Sequence, residues 1–161
     1  MAHLRSSALV ALALSCGLSA FAPAGAADLG ITGKKLLLTS SPKLVLLSRD
    51  FGIATTGADP VGGSDSSITF DDGTNAVTLS LPASNWKANG SGSVLLYKNT
   101  SAPAGPSVVR IARLKSGLFK LVAKGATIPV PNGSRTIDVV LRLDGGASTY
   151  CMTFPGTGDG S

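Results

Sequence analysis

The clearest pattern in the chain is the alternation of apolar and polar residues between residues 136 and 143. Alternation with a period of two predicts a β-strand with one buried face. The apolar positions of this strand are Ile137, Val139, Leu141 and Leu143. The sequence Asp144-Gly145-Gly146 then provides a turn, and residues 148–154 return as a second strand. The pattern therefore predicts an antiparallel hairpin.

A second hairpin is predicted around the triplet Lys115-Ser116-Gly117. With the triplet as a three-residue loop and Gly117 in the left-handed conformation, Val109 faces Ala123 and Ile111 faces Leu121. Phe119 joins this apolar side, and three basic residues fall on the opposite side. These are Arg110, Lys120 and Lys124. A shift by one residue would place a lysine among the apolar residues, so the pattern selects this register.

The rest of the chain adds five predicted strands, at residues 35–39, 43–49, 67–70, 76–81 and 93–97. Leu36-Leu37-Leu38 and Val45-Leu46-Leu47 are continuous apolar runs, which are compatible with strands buried on both sides. About nine strands in this length predict an all-β fold, either an antiparallel β-sandwich or a partly closed barrel. The loops are too short to separate independent cores, so residues 27–161 are expected to form one domain.

The first 26 residues have the pattern of an export signal. His3 and Arg5 precede an apolar run at residues 8–14, and the small residues Ala24-Gly25-Ala26 close the segment. The apolar run is shorter than the roughly 20 residues that span a membrane. Export to the periplasm or the cell exterior is therefore expected, without a transmembrane segment in the mature chain. The alternative is a lipoprotein signal, in which Cys16 becomes the lipid-modified first residue.

Composition excludes several kinds of chemistry. All nine acidic residues are Asp, Glu and Gln are absent, and the single histidine, His3, lies in the signal segment. A Ser-His-Asp or Cys-His site needs an imidazole base, and zinc sites draw mainly on Cys and His. We therefore expect that the protein is not an enzyme and that it binds no cofactor. An Asp-based or Ser/Lys-based hydrolase is the remaining catalytic alternative.

The positive charge is spread along the chain. Lys and Arg number 14 against nine Asp, and the bases mostly alternate singly with apolar residues. Proteins that bind nucleic acids usually concentrate their basic residues or carry a recognised motif, so no nucleic-acid partner is expected. Solvated faces explain the pattern better. Cys151, the one cysteine outside the signal, lies in the strand at 148–154, where a buried structural thiol is expected.

Several short segments resemble a recurrent β-rich module of exported, often multidomain, proteins of environmental bacteria. The matching segments are residues 31–36 (ITGKKL), 43–50 (KLVLLSRD), 58–63 (ADPVGG), 81–87 (LPASNWK) and 150–154 (YCMTF). The resemblance implies export and β-structure. Relatives often have cysteines, in a plausible disulfide, at the positions of Ser107 and Ala123. This chain has neither, so the resemblance implies no redox or cross-linking role.

Trp86 is the only tryptophan, and it lies between Pro82 and Gly90. An exposed Trp beside amide side chains can stack on a sugar ring and anchor an interface. The candidate ligand-binding residues are Asn85, Trp86, Lys87 and Asn89. The favoured interpretation is structural: Trp86 covers one end of the sandwich, and its indole N–H donates to a loop carbonyl.

The sequence Asp71-Asp72-Gly73-Thr74-Asn75 concentrates oxygen atoms in one turn. Calcium takes six to eight oxygen ligands of this kind, so Asp71, Asp72 and Asn75 are candidate calcium ligands. The alternative is a tight turn, which uses the same residues for backbone reasons. Asp59 and Asp65 flank a second acidic loop, for which simple solvation is the better interpretation.

Together these patterns predict an exported, non-catalytic all-β module that binds a macromolecule or has a structural role at or outside the cell envelope. The alternative is a glycan-binding domain that uses Trp86 and the neighbouring amides, with calcium as a possible cofactor.

Overall fold

The computed structural model describes residues 28–39, 43–56, 60–99, 108–124 and 136–155. These residues form eleven β-strands and two short 3-10 helices, η1 (Ala83–Asn85) and η2 (Asp144–Gly146). The strands are β1 (Asp28–Gly30), β2 (Gly33–Thr39), β3 (Lys43–Ser48), β4 (Ser66–Asp71), β5 (Ala76–Leu81), β6 (Trp86–Ala88), β7 (Val94–Lys98), β8 (Val108–Lys115), β9 (Leu118–Lys124), β10 (Ile137–Leu143) and β11 (Ser148–Phe154). No helix among them has the length and apolar character needed to cross a membrane.

The strands form two sheets. The smaller sheet has the order β1-β11-β10-β4-β5, and the larger one has the order β2-β3-β9-β8-β7-β6. All pairings are antiparallel except that of β1 with β11, which is parallel. The all-β prediction is confirmed, and of the two architectures the sandwich is the one observed. The short strands β1 and β6 were not predicted.

One apolar core lies between the two sheets. The predicted alternation of β10 is confirmed, because Ile137, Val139, Leu141 and Leu143 are all buried. Tyr150 also lies in the core, and its hydroxyl donates to the carbonyl of Ala54 (3.2 Å). This bond joins β11 to the segment that follows β3. A buried phenol with a partner avoids the penalty of an unsatisfied polar group.

The β8–β9 hairpin differs from its predicted register. Lys115 pairs with Leu118, which leaves a loop of two residues rather than three; Gly117 has the expected left-handed conformation (φ +72°). Val109 faces Ala123 as predicted, but a β-bulge shifts the register between Val109 and Ile111. The bulge adds one residue to β8 and reverses the side to which the next residues point. The prediction that Ile111 faces Leu121 is therefore wrong.

The continuous apolar runs of β2 and β3 are not buried on both sides. Leu44 and Leu46 are buried in the core, whereas Val45 and Leu47 point outward and are half-buried. Leu37 on β2 also points outward and is 41% exposed. These strands are therefore not buried on both sides, although their apolar runs are compatible with it. Their second apolar side belongs to the outer face of the larger sheet.

Cys151 is half-buried on the outer face of the smaller sheet, not enclosed in the core as expected. The predicted signal at residues 1–26, with Cys16, lies outside the described residues, and so do Asp59 and Ser107. The prediction of a single domain over residues 27–161 stays a prediction.

Candidate functional site

Trp86 begins β6, directly after η1, and points into the sandwich. Its side chain is 3% exposed, and its ring meets Tyr97 edge-on with 5.4 Å between the ring centroids. Backbone pairing of Trp86 with Tyr97 places both rings on the inner side of the sheet. The alternative of an exposed Trp86 that stacks on a sugar is therefore wrong, since the side chain is almost fully buried.

The structural interpretation of Trp86 is right about burial and wrong about the N–H. The indole Nε1 is buried and has no hydrogen-bond partner among the residues that the structure describes. Burial of an unpaired donor costs about 1–3 kcal/mol, which the packing of a large aromatic ring offsets. Trp86 is thus a core residue.

The neighbouring amides form hydrogen bonds with β7 and with the turn between β6 and β7. The Asn85 side-chain nitrogen lies 3.4 Å from the Tyr97 hydroxyl. The Asn89 carboxamide accepts from the Val94 backbone N–H (2.9 Å) and donates to the Ser91 and Ser93 hydroxyls. Its acceptor and donor atoms therefore hold the turn between β6 and β7. Lys87 points the opposite way from Trp86, so the four candidate residues do not converge on one site.

The acidic turn between β4 and β5 has the hydrogen bonds of a tight turn. Asp71 accepts from the N–H of Gly73 (2.8 Å), and Asp72 accepts from those of Thr74 (2.8 Å) and Asn75 (2.7 Å). The carboxylates thus accept from the backbone N–H groups of the turn, as Asp side chains commonly do in turns. Among the described residues, no group of three or more His, Cys, Asp or Glu side chains is placed to hold a metal ion. A calcium site here stays a prediction.

Asp65 in the second acidic loop also accepts hydrogen bonds from backbone N–H groups. Its carboxylate accepts from the N–H of Ala83 at the start of η1 (2.8 Å), and its carbonyl accepts from the N–H of Gly145 (3.0 Å). Asp65 therefore ties two loops together at one end of the sandwich.

An open groove of ≈ 460 Å³ runs beside the crossing from β1 to β2 and along β10 and β11. Of the described residues that line it, Asp138 alone is charged, and its carboxylate accepts from the Thr153 hydroxyl (2.7 Å). Carboxylate-based hydrolysis needs a second carboxyl group a few ångströms away. Asp71 lies directly opposite Asp138 on β4, but it does not line the groove, and its carboxylate accepts from the Gly73 N–H in the turn after β4.

The outer face of the larger sheet collects most of the basic side chains. Alternation along each strand and the pairing between strands place eight of the twelve described Lys and Arg residues on it. We call this surface the basic face. Its cations are Lys35, Lys43, Lys87, Lys98, Arg113, Lys115, Lys120 and Lys124.

An apolar row crosses the basic face. It consists of Leu37, Val45, Val122 and Ile111, which are paired in that order across β2, β3, β9 and β8. Leu37 is 41% and Ile111 is 47% exposed. Lys98 on β7 continues the row beyond Ile111. Aliphatic side chains on the outside of a sheet that is already covered on its inner side add little to the core.

Acidic residues are absent from this face in the described part of the chain. Three of the seven described Asp residues, Asp28, Asp71 and Asp138, lie instead on the outer face of the smaller sheet, and the rest lie in turns and loops. Within the basic face, Arg113 is directly opposite Lys120. Like charges in this position destabilise a sheet. The fold therefore gains nothing from this arrangement.

Sequence reasoning missed the basic face because it is a property of strand order. Each strand contributes only one or two of these cations, and the face appears when six strands are placed side by side. A signal was available in the hairpin pattern, which already put Lys120 and Lys124 on the side opposite the apolar residues.

Phe51 lies at one end of the larger sheet and is fully exposed. The preceding residue, Asp50, fixes the turn, because its carboxylate accepts from the N–H groups of Gly52 and Thr32, both at 2.8 Å. These two bonds, the first above all, lower the pKa of Asp50. The Gly117 N–H donates to the Ile53 carbonyl (3.0 Å), so this turn adjoins the β8–β9 turn.

No protein-family model and no curated protein matches the chain. Among solved structures, the archaellum periplasmic stator protein FlaG from Sulfolobus acidocaldarius is 15% identical, with a TM-score of 0.40 over 77% of this chain and 97% of that chain. The FlaF and FlaG stator complex from the same organism gives 14% identity and a TM-score of 0.41 over 87% and 96%. A likeness this loose assigns neither a family nor a function.

Proposed function

We propose that this protein is an exported, non-catalytic binding module that presents the basic face to an anionic macromolecular surface. The observation that carries the proposal is the separation of charge: eight cations and an apolar row share one face from which the described acidic residues are absent. The predicted signal and the resemblance to modules of exported bacterial proteins support its location at the envelope or outside the cell.

A partner would explain the cross-strand pair of Arg113 and Lys120. In the unbound protein the two cations repel each other. An anionic surface removes this repulsion, because negative charge placed over the pair interacts favourably with both residues. The arrangement weakens the fold slightly and strengthens binding, which is expected of a functional surface.

A second copy of the protein fits the basic face less well. Two basic faces repel each other, and the outer face of the smaller sheet offers only Asp28, Asp71 and Asp138 against eight cations. It also carries Arg142 and lacks an apolar row that could match Leu37 and Ile111. The better partner is a surface with a higher density of negative charge.

The test compares two arginines, one on the outer face of each sheet. Arg113→Gln removes a charge from the basic face, and Arg142→Gln removes one from the smaller sheet. Binding to immobilised poly-L-glutamate and to anionic lipid vesicles is measured at several salt concentrations. We expect binding that weakens with salt and is reduced about fivefold by Arg113→Gln, with little effect of Arg142→Gln. Equal effects of the two variants, or no binding to either surface, would overturn the proposal.

The location is tested separately by the intact mass of the protein recovered from its native envelope or culture medium. Cleavage after residue 26 or 27 supports export as a soluble module, whereas a lipid-modified Cys16 at the N-terminus supports an anchored one. A mass that still includes residues 1–26 would contradict export.

A further inference from the structure

We propose that the anionic surface is a phospholipid membrane with anionic headgroups, on which the basic face lies flat. This inference rests on the proposed function and specifies its partner. Seven of the eight cations are lysines, and none of the sixteen residues that point outward from this face and whose side chains are described is aromatic. Protein interfaces are instead enriched in arginine and aromatic residues and depleted in lysine. Lysine clusters are typical of proteins attracted to anionic lipids.

The apolar row distinguishes a membrane from a hydrated polyanion. Proteins that bind single-stranded nucleic acids or sugars use aromatic rings for stacking, and Trp86 and Tyr97 point away from the basic face. Aliphatic side chains gain free energy only where they leave water. The boundary between lipid headgroups and acyl chains provides such an environment for Leu37 and Ile111.

The arrangement of the cations suits this orientation. Lys35, Lys120 and Arg113 lie on one side of the apolar row, and Lys43 and Lys124 lie on the other. Lysine side chains are long enough to lie along apolar surface and to keep the ammonium group at the headgroups. With neighbouring strands about 4.8 Å apart, the row from Leu37 to Lys98 spans roughly 19 Å. Each cation close to an anionic membrane raises the affinity about fivefold.

Phe51 provides one further apolar contact. It is fully exposed in the turn after β3, and this turn adjoins the β8–β9 turn at the end of the larger sheet through the bond from the Gly117 N–H to the Ile53 carbonyl. The Asp50 carboxylate accepts from the N–H groups of Gly52 and Thr32 and so holds this turn in place, and little backbone freedom is lost when the ring enters the interface.

The test is cosedimentation of the full mature chain with vesicles of phosphatidylcholine alone or mixed with phosphatidylglycerol. Two leucines of matched exposure provide the variants: Leu37 (41%) in the apolar row and Leu29 (43%) on the edge strand of the smaller sheet. We expect binding only to the mixed vesicles. Leu37→Ser should weaken it severalfold, as should Phe51→Ala, and Leu29→Ser should not. Urea denaturation of each variant confirms that it is folded.

The other outcomes separate this inference from the proposed function. Binding to poly-L-glutamate but not to mixed vesicles would overturn the inference that the partner is a membrane. It would leave an acidic protein as the partner and the proposed function intact. Equal binding to both kinds of vesicle, or equal effects of Leu37→Ser and Leu29→Ser, would also overturn it. Sedimentation without vesicles that rises with protein concentration and is lost in Leu37→Ser would assign the face to a second copy. Failure to bind either anionic surface would overturn both proposals.

Discussion

Gly33 lies where the chain crosses from the smaller sheet to the larger one, and the ring of Phe154 packs against it. A Cβ atom at this position would lie 2.6 Å from the ring, whereas one at Gly30 would meet nothing within 4 Å. Phe154 is buried, so its ring cannot move without repacking. We expect Gly33→Ala to lower the free energy of unfolding by about 1–3 kcal/mol. Gly30→Ala should leave it unchanged or raise it by up to about 1 kcal/mol. Equal values for the two variants in urea denaturation would contradict the close contact.

Trp86 also distinguishes the proposed binding module from the alternative glycan-binding domain. Because it is the only tryptophan and is buried, its fluorescence should be blue-shifted in the folded protein and resistant to aqueous quenchers. A panel of soluble glycans should leave the emission unchanged. Emission typical of an exposed tryptophan, altered by a glycan, would restore the glycan-binding alternative.

At the scale of the element, the β-bulge in β8 decides which residues enter the core. Ile111 is 47% exposed, and the next residue, Ala112, is fully buried. Ile111→Ala should therefore change the free energy of unfolding by no more than about 0.5 kcal/mol. Ala112→Leu should lower it by about 1–3 kcal/mol through overpacking. A regular hairpin would give the opposite result, with a cost of about 2–5 kcal/mol for Ile111→Ala.

The turn after β3 makes stability depend on pH. The folded-state pKa of Asp50 is below its ordinary value of 3.8, because its carboxylate accepts from the N–H groups of Gly52 and Thr32. Its stabilising effect is therefore complete above pH 3.8 and is lost as the pH falls through the lowered pKa. In Asp50→Asn the side chain does not titrate, so the urea midpoint should fall less steeply below pH 3.8 than in the wild type. Identical slopes would show that this carboxylate does not contribute.

The elements that could be predicted are those whose pattern and turn residues lie close together in the sequence. β10 and β11 follow from unbroken alternation on either side of Asp144-Gly145-Gly146. The bulge in β8 could not be predicted. A regular hairpin with a three-residue loop and a bulged hairpin with a two-residue loop contain the same residues between Val109 and Ala123. β6 was missed because it is short and lies between Pro82 and Gly90, which suggested a loop. β1 has only three residues, and its partner β11 is distant in sequence.

At the scale of the whole molecule, the functional surface depends on strand order rather than on any segment. Lys35, Lys87 and Lys120 lie far apart in the chain, and they share a face only because β2, β6 and β9 belong to one sheet. Hydrophobic patterning correctly placed single cations outside the core. It did not indicate which strands are neighbours, and so it interpreted the cations as scattered and solvated. Their separation from the acidic residues is visible only in the folded protein.

Lys120→Glu tests the central claim most directly, because it should change stability and binding in opposite directions. Glu at this position faces Arg113, so a repulsive cross-strand pair becomes an attractive one. The free energy of unfolding should rise by about 0.2–1 kcal/mol. Affinity for anionic surfaces should fall by roughly tenfold or more, since the charge of the basic face decreases by two units. Arg142→Glu on the smaller sheet is the matched control. A stable Lys120→Glu variant with reduced binding, beside an Arg142→Glu variant that binds normally, is the predicted result; undiminished binding by Lys120→Glu would contradict the account.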